Sequence, residues 1–425
     1  MRRASNRCYV GFSAIVLMTS SGPGFGADNV RPSGAYVAEI NTALTKADIN
    51  TLRRLAQHGD AIERTLAPMA IERIRFDLDA SNAHARACEQ ALHDSEPELA
   101  FYCARFVPSN ARLAGESTAA ARQELAIVQR YQGQLPARLL ANFDARQAPA
   151  LASLPETVVT STQQSRALPI HTDASRAYTT DVTVNGKSVT LKVDTGAPTI
   201  LGATTAARLG VRIVLAKDGS IRGAMGHESI KQLGVLDSLS LGGTTIQHLP
   251  VAVIPEEHNA LGMDALRLLG TFELTSDRLI VYGRGSLPPS CVQPIRLSST
   301  FAGSTPAVVL DLMVDGTPHP ALMDTGSDFY ITGIDHANLP EPPTRGLAIK
   351  DVNASGSQAG YSRKTATVQL GDNKLHLTFP ELSGVTAPYD FILGNASLRD
   401  FRFFVDFNRR TGCVLSKDQR APDIH

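Results

Sequence analysis

Two aspartates carry the chemistry this sequence can do. Asp194 and Asp324 each open an Asp-Thr-Gly tripeptide, and each tripeptide closes an apolar, strand-like run. The first run follows Val184-Asn185-Gly186 and ends in Val193-Asp194-Thr195-Gly196-Ala197. The second follows Val314-Asp315-Gly316 and ends in Leu322-Met323-Asp324-Thr325-Gly326-Ser327. Gly186 to Asp194 is eight residues, and so is Gly316 to Asp324. A Leu-Gly pair also recurs: Gly262 stands 68 residues after Asp194, and Gly394 stands 70 after Asp324. One Asp-Thr-Gly alone reads as a turn. Two at matched register read as a duplicated pair of lobes, each supplying one carboxylate.

Paired carboxylates suit the hydrolysis of an amide. Like charges about 3 Å apart cannot both ionise easily, so such a pair holds one proton over a wide pH range. The ionised partner takes a proton from water, and the protonated one hydrogen-bonds the carbonyl oxygen. Facing loops, one from each lobe, would deliver this geometry. The Thr195 and Thr325 hydroxyls can bond the opposite loop's backbone and fix the separation. Gly196 and Gly326 allow the tight turn and the close approach of the loops.

The elements that must position these loops are short strands. Thr183-Val184, Val189-Thr190-Leu191 and Val251-Ala252-Val253-Ile254 lie between turn signals, and Asn185-Gly186 and Asp315-Gly316 predict tight hairpins. The pattern predicts a β lobe over residues 171–284 and a second over 285–415, with a polar tail over 416–425. Upstream, residues 28–146 predict an α-helical domain, with apolar positions at helical spacing and a hint of helix-pair repeats. Its breaks are expected at Gly59-Asp60, Ser95-Glu96-Pro97, Pro108-Ser109-Asn110 and Gly133 to Pro136. Residues 147–170, rich in Pro, Thr, Ser and Gln, read as a linker. The fold class is therefore α+β multidomain: a helical domain, then an all-β bilobal unit.

Residues 170 to 415 resemble the pepsin and retropepsin superfamily, close to the exported retropepsin-like aspartyl proteases of bacteria. The resemblance rests on both Asp-Thr-Gly loops and on Leu261-Gly262 and Ile392-Leu393-Gly394, which match the family's later hydrophobic-Gly element. It implies a catalytic dyad of Asp194 and Asp324, supported by Thr195, Gly196, Thr325, Gly326 and Ser327. It implies an aspartic endopeptidase that acts on peptide or protein substrates and needs no metal or other cofactor. Two flap-like segments correspond to the family's hairpin flap: Gly223-Ala224-Met225-Gly226, and a stretch containing Gly356 and Gly360. In the family a Ser three residues after the aspartate can donate to its carboxylate. Ser327 could serve Asp324 in this way and Ala197 could not serve Asp194, which would leave Asp194 the more basic partner. The resemblance does not reach residues 28–165, whose domain could recruit a protein partner. Two other readings stay open: a non-catalytic peptide-binding module that keeps the cleft, and a helical scaffold with accessory β lobes.

Composition narrows the setting. Forty-one basic and 41 acidic residues give zero net charge, which argues against nucleic acid as a partner. Residues 1–27 read as a signal peptide, with Arg2, Arg3 and Arg7 ahead of a short apolar core and a small-residue stretch. The core is too short to span a bilayer, so no integral membrane segment is expected after cleavage. An exported protein, periplasmic or secreted, follows. Four cysteines then remain, which permit two disulfides in three possible pairings. In lobes of the resembled kind the terminal strands pair. That would join Cys291 to Cys413 and leave Cys88 to pair with Cys103 across a helical hairpin.

Overall fold

A computed structural model of the chain describes residues 31–140, 147–162, 164–218, 220–222, 228–283, 293–303, 305–336, 361–371, 373–383 and 387–417. The signal segment, Cys291 and both flap tips therefore lie outside the described residues.

Among the described residues, the N-terminal domain is built on α1 (Ser33–Thr45), α2 (Ile49–His58), α3 (Ala61–Ile74), α4 (Leu78–Leu92), α5 (Pro97–Ala114) and α6 (Ser117–Tyr131), followed by the short helix Ala137–Leu140. Several begin where a side chain can satisfy the free N–H groups of the first turn. Asp48 accepts from Thr51, Asp77 accepts from Ala80, and Asp60 forms a capping box with Glu63. A disulfide joins Cys88 of α4 to Cys103 of α5, the pairing expected. The break expected at Pro108 does not occur, because α5 runs through it. Pro108 forfeits one helical hydrogen bond, but the turn around it is pinned from outside. The buried Asn110 side chain accepts from Arg73 Nε at 2.7 Å and donates to Ser81 Oγ at 2.9 Å. The Arg73 guanidinium lies 4.0 Å from the centre of the Phe106 ring and donates to the Phe106 carbonyl. Tertiary contacts here outweigh a local penalty of about 3 kcal/mol.

The helices are not a separate body. Phe301, from lobe 2, stacks on Tyr102 of α5 with ring centres 4.6 Å apart and meets Phe106 edge-on. Its carbonyl accepts from Arg73 and from Ser109, and the next carbonyl, Ala302, accepts from Arg112 at 2.7 Å. Val309, Leu322 and Tyr389 of lobe 2 join the helical core cluster, while Phe76 and Leu113 of the helices join the β core.

Residues 147–170 also differ from the linker expected. Helix Gln147–Ala152 shares a small core with Ala121, Leu233 and Val235. Val158–Ser161 pairs with Thr244–Ile254, and Arg166–Pro169 pairs with Arg278–Val281. Strand Val158–Ser161 is exposed along its length, so no apolar alternation marked it.

Lobe 1 is a sheet that includes Tyr178–Val184, Lys187–Asp194, Ile200–Gly202, Gln232–Leu241, Thr244–Ile254 and Ala260–Gly262. Lobe 2 repeats it with Ala307–Val314, Thr317–Met323, Ile331–Asp335, Tyr361–Leu370, Asn373–Ser383 and Phe391–Leu393. Both hairpins predicted at Asn-Gly and Asp-Gly form, with positive φ at Asn185, Gly186, Asp315 and Gly316. A third sheet unites the lobes in the order Gln293–Pro294, Thr411–Ser416, Phe401–Asp406, Thr271–Leu274, Arg278–Val281, Arg166–Pro169. Pro294 lies opposite Cys413, and Cys413 is disulfide-bonded. Ser416, placed in the tail by sequence, is the last residue of a strand and pairs with Phe401.

Candidate active site

Each aspartate sits where a central strand runs out beside a parallel neighbour. Lys187–Asp194 pairs with Ala260–Gly262, which sets Asp194 beside Gly262. Thr317–Met323 pairs with Phe391–Leu393, and the Asp324 N–H donates to the Leu393 carbonyl at 3.0 Å. The Leu-Gly pairs noted in the sequence are these neighbours. A side chain on Gly262 would lie 2.1 Å from the Pro198 carbonyl carbon, and one on Gly394 would lie 2.1 Å from the Phe329 oxygen. Each Asp-Thr-Gly loop's backbone thus rests directly on a glycine. The contact is sealed by Met263 N–H to Ala197 O at 2.9 Å and Asn395 N–H to Ser327 O at 2.8 Å.

The loops meet through their threonines, which are buried. Thr195 Oγ1 donates to the Met323 carbonyl at 2.8 Å and accepts from the Thr325 N–H at 3.0 Å. Thr325 Oγ1 donates to the Val193 carbonyl at 2.8 Å and accepts from the Thr195 N–H at 3.0 Å. The glycines bring each backbone against the opposite carboxyl: a Cβ on Gly196 would lie 2.4 Å from the Asp324 carboxyl, and one on Gly326 would lie 2.5 Å from that of Asp194. Each glycine N–H also donates to its own lobe's aspartate, Gly196 to Asp194 at 3.1 Å and Gly326 to Asp324 at 2.8 Å.

Asp194 is buried and Asp324 is partly so. The Asp324 carboxyl is pushed up from an ordinary value of 3.8 to about 7, first by burial and then by the charge of Asp194, with a hydrogen bond between the two carboxyls adding to it. Lys192 and the Gly326 N–H pull in the other direction. The expectation that Asp194 would be the more basic partner finds no support among the described contacts. It required a bond from the Ser327 hydroxyl, and among the described residues Ser327 is tied only through its backbone. The raised carboxyl is that of Asp324.

Three residues of the site escaped the sequence reading. Thr199 donates to Asp264 from both its N–H and its hydroxyl, at 2.8 and 2.6 Å, and its hydroxyl accepts from Gly262 N–H at 3.1 Å. This braces the lobe 1 loop from below. The positions matching Thr199 and Asp264 in lobe 2 hold Phe329 and Ala396, so the brace is not duplicated and repeat matching passes over it. The third is Lys192, whose Nζ donates to the Gly326 carbonyl across the cleft at 2.6 Å. Period-two alternation could have found it, since it shares a strand face with Asp194. Flap residues Gly223, Ala224, Met225 and Gly226 lie outside the described residues, but Ser220–Arg222 and Glu228–Ile230 on either side pair as an antiparallel hairpin. Gly356 and Gly360 also lie outside the described residues.

Residues 180–265 match the sequence model of the aspartyl protease family. No curated protein matches the chain at a significant level. Among solved structures, it is similar to a retropepsin-like aspartic protease from Rickettsia conorii at 21% identity, covering 30% of this chain and 97% of that one, with a TM-score of 0.25. Basic 7S globulin from soybean shares 12% identity over 61% of this chain and 96% of its own, with a TM-score of 0.37. Conglutin gamma, a basic 7S globulin from lupine seeds, shares 13% over 61% and 96%, with a TM-score of 0.36.

Proposed function

We propose that this chain, a member of the pepsin and retropepsin superfamily, is an aspartic endopeptidase whose dyad is Asp194 and Asp324. One observation carries the reading: two Asp-Thr-Gly loops from separate lobes cross at one point, each glycine backbone lying against the other lobe's carboxyl.

We assign the pair's proton to the raised Asp324 carboxyl and the attacking base to Asp194. With a peptide in the cleft, Asp194 takes a proton from water as the water oxygen bonds the carbonyl carbon. Asp324 gives its proton to the carbonyl oxygen, and a neutral diol forms. On collapse Asp194 returns its proton to the leaving nitrogen, Asp324 recovers one from a hydroxyl, and the C–N bond breaks. The glycine N–H bonds aim the inner oxygens, so the outer ones face the substrate.

An exported location is part of the same proposal. It is supported by the leader-like residues 1–27 and by the Cys88–Cys103 disulfide. No helix among the described residues is long and apolar enough to cross a membrane. Cell fractionation tests the location. The chemistry is tested by incubating the purified protein with a diverse peptide library beside an Asp194→Asn control. Internal cleavage by the wild type alone is expected, and equal cleavage by the control would remove the dyad assignment.

A further inference from the structure

We infer that Lys192 is a positioning residue of the dyad: it ties the lobe 1 strand to the lobe 2 catalytic loop and stands as a fixed cation beside the two carboxyls. The inference rests on the reading of Asp194 and Asp324 as the catalytic pair, and it adds a residue that the duplicated motif does not contain.

Lys192 lies two residues before Asp194, so both side chains leave the same face of their strand. Its neighbours Leu191 and Val193 point into the core. A lysine on such a strand ordinarily extends into water, where its ammonium is best solvated and its stem keeps its rotamer freedom. Here the side chain is partly buried. The ammonium is spent on the carbonyl of Gly326, in the other lobe and 134 residues away, at 2.6 Å. Gly326 is thereby held from both sides: its carbonyl by Lys192, and its N–H by the Asp324 carboxylate it donates to. A shift of this loop would move Asp324 with it.

The two lobes differ at this position. The residue two before Asp324 is Leu322, and it packs with the core cluster of the helical domain. Lobe 2 thus covers its position with apolar side chains, whereas lobe 1 carries a charge across the cleft. The site is electrostatically one-sided although its backbone is nearly two-fold.

Asp194 shares the strand face of Lys192, and the carboxyls that feel its charge are Asp324 across the cleft and Asp173 ahead of Tyr178–Val184. Asp173 is mainly occupied with Ser175 and the Ala177 N–H. After the paired strand Ala260–Gly262, the next acid is Asp264, whose carboxylate is taken by Thr199 and the Ala265 N–H. Among the described residues Asp328, just past the lobe 2 loop, forms no ion pair with Lys192, whose ammonium goes to the Gly326 carbonyl. Within the site, the charge of Lys192 acts on Asp324. It opposes the burial and like-charge repulsion that raise Asp324, and so helps the pair keep one ionised oxygen in acid.

The experiment follows the aspartate carboxyl carbons by 13C NMR against pH in the full chain, with the pair's signals assigned by their loss in Asp194→Asn and Asp324→Asn. Wild type is compared with Lys192→Met, Lys192→Gln and Lys192→Arg. Lys192→Gln keeps a donor, one bond shorter, without the charge, and serves should the Met variant not fold. Loss of the charge is expected to raise the pair's apparent pKa values by on the order of one pH unit in the Met and Gln variants, and Lys192→Arg should stay near wild type. The limbs of kcat/KM against pH on one library peptide should move up by the same amount. Met and Gln variants that titrate as wild type does would overturn the proposal. So would a Gln variant that matches wild type while Met shifts, since that isolates the hydrogen bond from the charge. If the carboxyls shift as expected but no peptide is cut by any form, the endopeptidase reading fails and the assignment of Lys192 stands.

Discussion

Thr195 and Thr325 exchange equivalent bonds: each hydroxyl accepts from the other's N–H and donates to the carbonyl two residues before it. Four bonds in a buried place thus set the distance between two loops that come from different lobes. Replacing Thr195 by Val keeps the volume but strands the Thr325 N–H and the Met323 carbonyl. A loss of roughly 2 to 4 kcal/mol is expected, with turnover reduced at least as strongly because the carboxyls lose register. Thr195→Ser should recover most of both. Denaturant unfolding and kcat on one peptide check this, and a Val variant as stable as wild type would contradict it.

The raised carboxyl of Asp324 makes stability depend on pH. The unfolded chain releases this proton near 3.8, whereas the folded chain keeps it until about 7. Between those values the native state binds more protons, so stability is greatest at the acid end and declines as pH rises through about 7. Asp324→Asn removes the group that cannot ionise comfortably. The variant should lose turnover yet be more stable than wild type at pH 8, by on the order of 2 kcal/mol, with a flatter profile of stability against pH. Unfolding midpoints from pH 4 to 8 measure it. In the wild type kcat/KM should fall above about 7, where the shared proton is lost.

Phe301 makes the helical domain part of the framework that holds the lobes. Phe301→Ala removes the ring held between Tyr102, Phe106 and Arg105 and should cost about 2 kcal/mol. Deleting residues 31–165 would also bare Val309 and Tyr389 and remove the edge strand Val158–Ser161. The remainder should be insoluble or rapidly digested by an added protease. A soluble, protease-resistant and active product would show that the helices are dispensable.

The Cys88–Cys103 bridge closes a loop of 15 residues between α4 and α5. Its removal in Cys88→Ala/Cys103→Ala should cost about 3 kcal/mol in the chain-entropy model. The melting temperature of the helical domain should drop, and the dyad's pH profile should stay put, since neither cysteine touches the lobes' loops. A shifted profile would mean that the helices act on the site.

What the sequence made legible was whatever occurs twice. The aspartates, threonines, glycines and both Leu-Gly pairs were found by register, because a duplicated lobe repeats its physical needs. Features present in one lobe only stayed hidden. Lys192 interrupts an apolar run and looks like a solvated position, and Asp264 starts a helical turn and looks like a first-turn acid. Of the edge strands within 147–170, Val158–Ser161 is exposed along its length and Arg166–Pro169 packs only Leu168 against the core, so neither leaves an apolar alternation. The run through Pro108 is decided by Arg73 and Asn110, whose meeting no local window contains.

The sheet that unites the lobes has an order of arrival. Arg166–Pro169, Thr271–Leu274 and Arg278–Val281 leave the ribosome early, but Thr271–Leu274 has its other partner in Phe401–Asp406, and that strand closes with Thr411–Ser416. Chains emerge N-terminus first. Throughout the making of lobe 2, then, lobe 1 stands with an unfilled edge and Asp194 faces no counterpart. The sheet between the lobes is therefore complete only once Thr411–Ser416 has been made.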